Sequence, residues 1–195
     1  MDPAMRSDVP GDGFIVDDND LVAHARALVE LNRYLTIGTT DHQGRPWTTP
    51  VYFAATQEWR FYWMSETDAR HSRNLAERPD VSLVVFDSTV PPYHGRAVYA
   101  VGQAHELAEG EVDEGLRAYP GPSRPEVPPT TRDDVTGSSP YRLFRATAAE
   151  LWVLCPREPR RPCSRHDLAR DHRARITLNP GRGDVIRPNR TRPCV

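Results

Sequence analysis

The stretch YLTIGTTDHQGRPWTTPVYFA, residues 34–54, predicts two β-strands joined by a tight turn. The segment DHQG between the strands contains the Asp and Gly residues that favour a hairpin. The second strand is unusual, because it carries Trp47, Thr48, Thr49 and Pro50 where a core strand would carry aliphatic residues. A polar strand containing proline indicates either a protected sheet edge or a strand that a ligand contacts.

The sequence that follows this hairpin predicts a mainly β fold. Further strands are expected at 58–65, 81–88 and 96–107, and residues 141–156 supply one or two closing strands. The connections between the first strands are short, so neighbouring strands should pair antiparallel. Six or seven antiparallel strands with flanking helices indicate a small closed β-barrel.

The chain of 195 residues allows one domain with tails. Residues 1–17 are rich in Asp, Gly and Pro and are predicted to be disordered. The barrel domain is expected over 18–155, beginning with a helix capped by an acidic or Asn residue and ending after a proline-rich loop at 120–140. Residues 156–195 contain 11 Arg and 4 acidic residues, and we expect a flexible tail.

Composition excludes several classes of protein. All 25 basic residues are Arg, so no lysine is available to form a Schiff base, as ordinary pyridoxal phosphate catalysis requires. No apolar run approaches the roughly 20 residues of a membrane helix, and the amino terminus lacks the pattern of a secretion signal. We therefore expect a cytoplasmic protein without a membrane span. The tail lacks interleaved aromatic residues, so nucleic acid is not an expected partner.

A candidate anion site lies between the third and fourth predicted strands. The strand 58–65 ends at Ser65, and ARHSRNLAER follows as a short helix that Thr67 or Asp68 can cap. Its first turns carry Arg70, His71 and Arg73. Helix-start N–H groups beside two guanidinium groups suit a phosphate monoester. The alternative is that both arginines are ordinary surface residues.

The order of these motifs resembles a known family. A strand containing TTPV, an aromatic strand ending in Ser, and RHSRNLAERPDVSL leading into the next strand are similar to the FMN-binding split β-barrel family typified by pyridoxamine 5'-phosphate oxidase. The resemblance implies FMN bound at the interface of a homodimer. It also implies hydride transfer through the flavin, with a small-molecule substrate and with NAD(P)H or another small donor.

The resemblance also implies which residues surround the cofactor. Thr48, Thr49, Pro50 and Val51 would run beside the isoalloxazine ring, and the segment Tyr62, Trp63, Met64 and Ser65 would flank the ribityl chain and phosphate. Arg70, His71 and Arg73 would hold the phosphate. The family usually has Lys where this chain has His71, so the phosphate should depend mainly on the two arginines.

The sequence does not select a substrate. The family's vitamin-processing oxidases carry an R-x-H pair near the carboxyl end, and LFRATAAELWVLCP lacks it. A deazaflavin-dependent reductase of the same fold and a non-enzymatic flavin or haem binder therefore stay open. His94 and His105 could donate protons, but nothing places them near a substrate, and no catalytic residue is assigned.

Two cysteines and two histidines lie close together near the carboxyl end, at Cys155, Cys163, His166 and His172. The gap of seven residues between the cysteines exceeds the roughly two to four of common zinc motifs. We therefore expect no metal site there, with zinc as the alternative.

Overall fold

The computed structural model describes residues 20–121 and 127–178 and the backbone of 185–187, so the predicted disordered segment 1–17 lies outside the described residues. The α-helices among these residues are α1 (Leu21–Leu31), α2 (Arg70–Glu77) and α3 (Val112–Ala118), and a short 3-10 helix covers Glu109–Glu111. The strands in the same part of the chain are β1 (Tyr34–Thr40), β2 (Pro46–Tyr52), β3 (Ala54–Ala55), β4 (Arg60–Glu66), β5 (Asp80–Phe86), β6 (Ala97–Glu106), β7 (Tyr141–Leu154), β8 (Arg173–Thr177) and β9 (Val185–Arg187). None of the described helices has the length and apolar content of a membrane span.

The strands form one curled antiparallel sheet in the order β2-β1-β5-β6-β7-β4-β3, which confirms the predicted split barrel. β7 is the longest strand and joins the two parts of the sheet. One edge of β7 pairs with β6, and the other edge pairs with β4 along its first half and with β8 at its end. β9 pairs with β8 beyond the main path.

The main core lies on the concave side of this sheet. Alternate residues of each strand point inward, among them Leu35 and Ile37 of β1 and Trp63 of β4, as period-2 patterning requires. α1 adds an apolar stripe that includes Leu21 and Leu28. The Asp20 side chain caps α1 by accepting hydrogen bonds from the backbone N–H groups of its first turn, as the acidic segment predicts.

A second, smaller apolar cluster lies on the other face of β4 and β7. α3 covers this face and packs Val112 there, together with Val135 from the segment before β7. Tyr62 and Leu143 supply the strand side of the cluster. The cluster fixes α3 and part of the proline-rich segment to the barrel, although residues 122–126 of that segment lie outside the described residues.

The structure differs from the sequence analysis after residue 155. β8 continues the sheet beside β7, with Leu154 opposite Arg173. Ala174 and Ile176 are each 1% exposed and belong to the main core, whereas Arg173 and Arg175 are exposed. Residues of the predicted tail therefore belong to the fold through at least residue 178. The prediction failed here because it weighed the Arg content of the segment and not the alternation of RARIT.

Candidate functional site

The polar strand β2 lies at one end of the sheet. It pairs with β1 along its whole length, with Thr48 opposite Gly38 and Pro50 opposite Thr36. Among the described strands it has no second partner, so β2 is an edge strand and Pro50 protects its free edge. Thr48 and Pro50 are exposed, Thr49 is half-buried, and Val51 belongs to the core. The backbone of β2 is therefore open to a ligand along its free edge.

We call the face formed by the outward residues of β1, β5 and β6 the outer face of the sheet. A shallow groove lies on this face and borders β2. The groove has a volume of about 650 Å³. Thr48 is at its rim, and its lining includes Gly38, Ser82, Tyr99, Trp152 and Arg173. A Cβ atom at Gly38 would lie 2.3 Å from Ser82 Oγ. The absence of a side chain at residue 38 thus keeps the floor of the groove flat.

α2 begins directly after the turn that follows β4. Its N-cap is Ala69, whose side chain cannot accept a hydrogen bond, so the prediction that Thr67 or Asp68 caps the helix is wrong. The backbone of the turn sets this start, since the Ala69 N–H donates to the Glu66 carbonyl at 3.3 Å. The N–H groups of the first turn consequently have no side-chain cap, which leaves them suited to an anion.

Arg70 connects this helix start to β2. Its guanidinium carbon lies 4.3 Å from the centre of the Trp47 ring, a cation–π contact between the first residue of α2 and the edge strand. Trp47 is 39% exposed. Arg73 is also exposed and donates a hydrogen bond to the Asp68 carbonyl. Two guanidinium groups therefore lie at the uncapped end of the helix.

His71 points away from the two arginines and into the barrel. Its Nε2 atom forms a hydrogen bond with Ser65 Oγ at 2.9 Å, and the residue is only 6% exposed. Burial lowers the pKa of His71, so the ring is neutral at neutral pH. This geometry assigns His71 an inward partner on β4 and gives it no phosphate-facing charge. Ser72 strengthens the same junction by donating to the Glu66 carbonyl at 2.7 Å.

The predicted segment Tyr62 to Ser65 divides between the two faces of β4. Trp63 and Ser65 point to the main core, where Trp63 stacks on Phe144 with their ring centres 5.7 Å apart. Tyr62 and Met64 point to the second cluster under α3. The Tyr62 hydroxyl donates a hydrogen bond to Glu114 Oε1 at 2.9 Å. The pKa of Tyr62 is raised, mainly by burial and secondly by this hydrogen bond.

The structure thus brings together only part of the predicted cofactor site. At the start of α2, His71 meets Ser65 on the buried side and Arg70 contacts Trp47 on the exposed side, from which the polar residues of β2 continue. Tyr62 and Met64 lie on the face that α3 covers, and Trp63 lies within the core. The predicted set omits Trp47, although an aromatic residue in an otherwise polar strand is a signal that the sequence displays.

The other polar groups singled out in the sequence occupy separate places. His105 lies on the surface of β6, with its Nε2 atom 3.8 Å from Glu111 Oε2. The Cys and His residues of the segment before β8 converge, with their ligand atoms all within 4.8 Å of one another.

Known proteins resemble this chain in sequence or fold. A pyridoxine/pyridoxamine 5'-phosphate oxidase from Bacteroides thetaiotaomicron is 28% identical over 158 residues, covering 80% of this chain and 71% of that protein. The structure of PhzG from Burkholderia lata 383, in complex with tetrahydrophenazine-1-carboxylic acid, is 14% identical with a TM-score of 0.56, covering 91% of this chain and 98% of its own. A haem-binding protein from Mycobacterium smegmatis is 16% identical with a TM-score of 0.55, covering 68% of this chain and about half of that one (53%).

The two solved structures agree with this chain in fold alone, because their sequence identities are low. The family model described as pyridoxamine 5'-phosphate oxidase matches residues 21–155. That match runs from α1 through β7 and includes both β2 and the start of α2. The chain therefore belongs to the pyridoxamine 5'-phosphate oxidase family.

Proposed function

We propose that this protein binds FMN and is a flavin-dependent oxidoreductase, with NAD(P)H or another small molecule as hydride donor. The observation that carries the proposal is the uncapped start of α2, where Arg70 stacks on Trp47 of the open edge strand β2. Family membership adds support, because the family typically binds FMN. The site must hold a phosphate at one end and a flat ring at the other.

The start of α2 suits the phosphate by the chemistry of its donors. Guanidinium groups bind phosphate in bidentate fashion, and the helix start adds free backbone N–H groups and the positive end of its dipole. Arg70 and Arg73 supply the full charges. His71 contributes none, because its ring is buried and neutral. Its role is to hold the first turn of α2 against β4 through Ser65.

The strand β2 suits the ring. Trp47 and Thr48 are neighbours that point to opposite faces of β2, so a ligand that contacts Arg70 reaches the rim of the outer-face groove by crossing the free edge of β2. Thr48 and Thr49 offer small hydroxyl groups beside an unpaired strand edge, which can donate to ring carbonyl groups. When bound, FMN supplies the hydride chemistry itself, so the chain has only to bind and orient it.

The described residues leave the outer face open, and we propose that a second copy of the chain covers it. Phe86 and Val101 point outward from β5 and β6 and are 52% and 38% exposed. A homodimer would bury these apolar side chains and add a second wall to the groove. This arrangement agrees with the interface site that the family resemblance implies.

The phosphate site can be tested by comparing FMN with riboflavin, which lacks the phosphate. We expect the double variant Arg70→Ala/Arg73→Ala to bind FMN at least about 100-fold more weakly, since two charge-assisted hydrogen bonds are lost and each contributes about 1.5–3 kcal/mol. Riboflavin affinity should hardly change. Arg78→Ala, at the other end of the same helix, is the matched control and should bind both ligands as the wild type does. Flavin fluorescence titration measures all these affinities.

Two results would contradict this assignment. Equal FMN affinity in the double variant and the wild type would remove the phosphate from the start of α2. A purified protein with no flavin absorbance near about 450 nm and no response to added FMN would remove the cofactor itself. A haem band near about 400 nm would instead favour the haem-binding alternative, and turnover of NAD(P)H by the FMN-loaded protein would separate an enzyme from a flavin store.

A further inference from the structure

The loop between β7 and β8, residues 155–172, contains no helix or strand yet folds back against the barrel. Cys163 is the only buried side chain between residues 156 and 172, all of which the structure describes. Apolar burial is therefore too small to hold so long a loop in one conformation. The loop and its two ends carry Cys155, Cys163, His166 and His172.

Strand pairing explains why these residues meet despite their spacing. Cys155 follows β7 directly and His172 precedes β8 directly, and the Cys155 N–H donates to the His172 carbonyl at 3.1 Å. The two residues are thus opposite each other at the base of the loop. A tight turn then sets the other pair, since the Asp167 N–H donates to the Cys163 carbonyl at 2.8 Å and so keeps His166 near Cys163.

Three of the separations between the ligand atoms are close to those of a tetrahedral metal site, and all of them are 4.8 Å or less. His166 Nδ1 lies 3.4 Å from Cys155 Sγ and 3.8 Å from Cys163 Sγ. It also lies 3.1 Å from His172 Nε2. A tetrahedral zinc ion with Zn–S bonds of about 2.3 Å and Zn–N bonds of about 2.0–2.1 Å separates its ligand atoms by roughly 3.3–3.8 Å.

The His172 ring is oriented as a metal ligand. Its Nδ1 atom lies 2.9 Å from the Arg170 carbonyl, to which an Nδ1–H group donates. That hydrogen bond leaves the lone pair on Nε2, the atom that faces His166. Metal-bound histidines almost always donate their second ring N–H group to an oxygen acceptor in this way.

Apolar packing of the two thiols explains less of this arrangement than metal binding does. Buried cysteines pack as small apolar residues, and both cysteines here are free thiols that are 3% or less exposed. That account leaves unexplained why two imidazole nitrogens converge with the two sulfur atoms, all within 4.8 Å of one another. A divalent ion would neutralise two thiolates, and the assembled group could be buried without net charge.

We propose that Cys155, Cys163, His166 and His172 bind one zinc ion that fastens the 155–172 loop to the end of the barrel. Two thiolates and two imidazoles in tetrahedral arrangement select zinc over oxygen-seeking ions such as Mg²⁺ and Ca²⁺. The protein fills all four coordination positions, so no position is open to substrate and the site is structural. The site uses none of the residues of the proposed FMN site, so either assignment can fail alone.

The full-length protein, purified without a histidine tag, should contain about one zinc ion per chain by elemental mass spectrometry. Replacement by Co²⁺ should give the visible and charge-transfer bands of tetrahedral thiolate coordination. His166→Ala and Cys163→Ser should lose most of the metal, whereas His42→Ala, a surface histidine, should retain it. Chelation should lower the unfolding temperature of the wild type by about 10 °C, without an effect on His166→Ala.

Limited trypsin digestion provides a readout that does not depend on variants. The loop contains Arg160 and Arg165, which are exposed, lie between the proposed ligands and are not followed by proline. Zinc should protect these bonds and the chelator should expose them. A metal-free protein that binds neither Zn²⁺ nor Co²⁺ after reduction would overturn the proposal. A disulfide between Cys155 and Cys163 in the freshly purified protein would also overturn it.

Discussion

At the scale of single residues, His71 should make the stability of the protein depend on pH. Burial lowers its pKa in the folded protein, whereas the unfolded chain protonates near the ordinary histidine pKa of about 6.5. The contribution of neutral His71 is thus complete above about pH 6.5 and is lost as the pH falls toward the folded-state pKa. His71→Gln should lose less stability than the wild type between about pH 8 and pH 5.5 in urea unfolding. His42→Gln, a surface variant, should behave as the wild type, and an unchanged pH dependence in His71→Gln would contradict the prediction.

The residues near the start of α2 show what a sequence can predict at this scale. The presence of Arg70, His71 and Arg73 in the first turns of a helix followed from residue order alone. The direction of each side chain did not, because it depends on which face of α2 packs on β4. His71 therefore pairs with Ser65, and only Arg70 contacts Trp47. The N-cap was also wrong by one or two positions, since backbone turn geometry decided it.

At the scale of secondary-structure elements, the bulge in the pairing of β6 with β7 requires Gly102. The register between these strands shifts between Val101 and Gly102. A Cβ atom at Gly102 would lie 2.0 Å from the Thr147 carbonyl oxygen, which is backbone and cannot rotate away. Gly102→Ala should therefore destabilise the protein by about 1–3 kcal/mol in chemical unfolding. Gly110→Ala, where the added Cβ meets nothing within 4 Å, is the control. Equal stabilities of the two variants would contradict this account.

The elements themselves were predictable where their periodicity was strong. β1, β4 and β6 lie within two residues of their predicted bounds. β8 was missed because Arg173 and Arg175 suggested a solvated tail, whereas Ala174 and Ile176 alternate with them into the core. The convergence of Cys155 with His172 depends on the same pairing. No spacing rule within one segment could reveal it, because the contact is between strands.

At the scale of the whole molecule, the outer face is the main surface that the described residues leave open. The concave side of the sheet is filled by the core and α1, and α3 covers β4 and β7 on their other side. The outer face of β1, β5 and β6 instead carries the groove and exposed apolar side chains. The free edge of the sheet at β2 borders this same face. Association through the outer face would therefore complete the groove and enclose the ligand that the start of α2 is proposed to hold.

This association predicts the mass of the protein in solution. Light scattering should give twice the chain mass of 22.0 kDa for the wild type. The double variant Phe86→Glu/Val101→Glu places two charges on the outer face, and desolvating them should shift the protein to the single-chain mass. Leu31→Glu changes an equally exposed apolar residue at the end of α1 and should remain a dimer. FMN affinity should fall together with dimerisation in the double variant, because the second wall of the groove would be lost. A wild-type protein that stays monomeric when FMN is bound would place the whole cofactor site within one chain and refute the dimer.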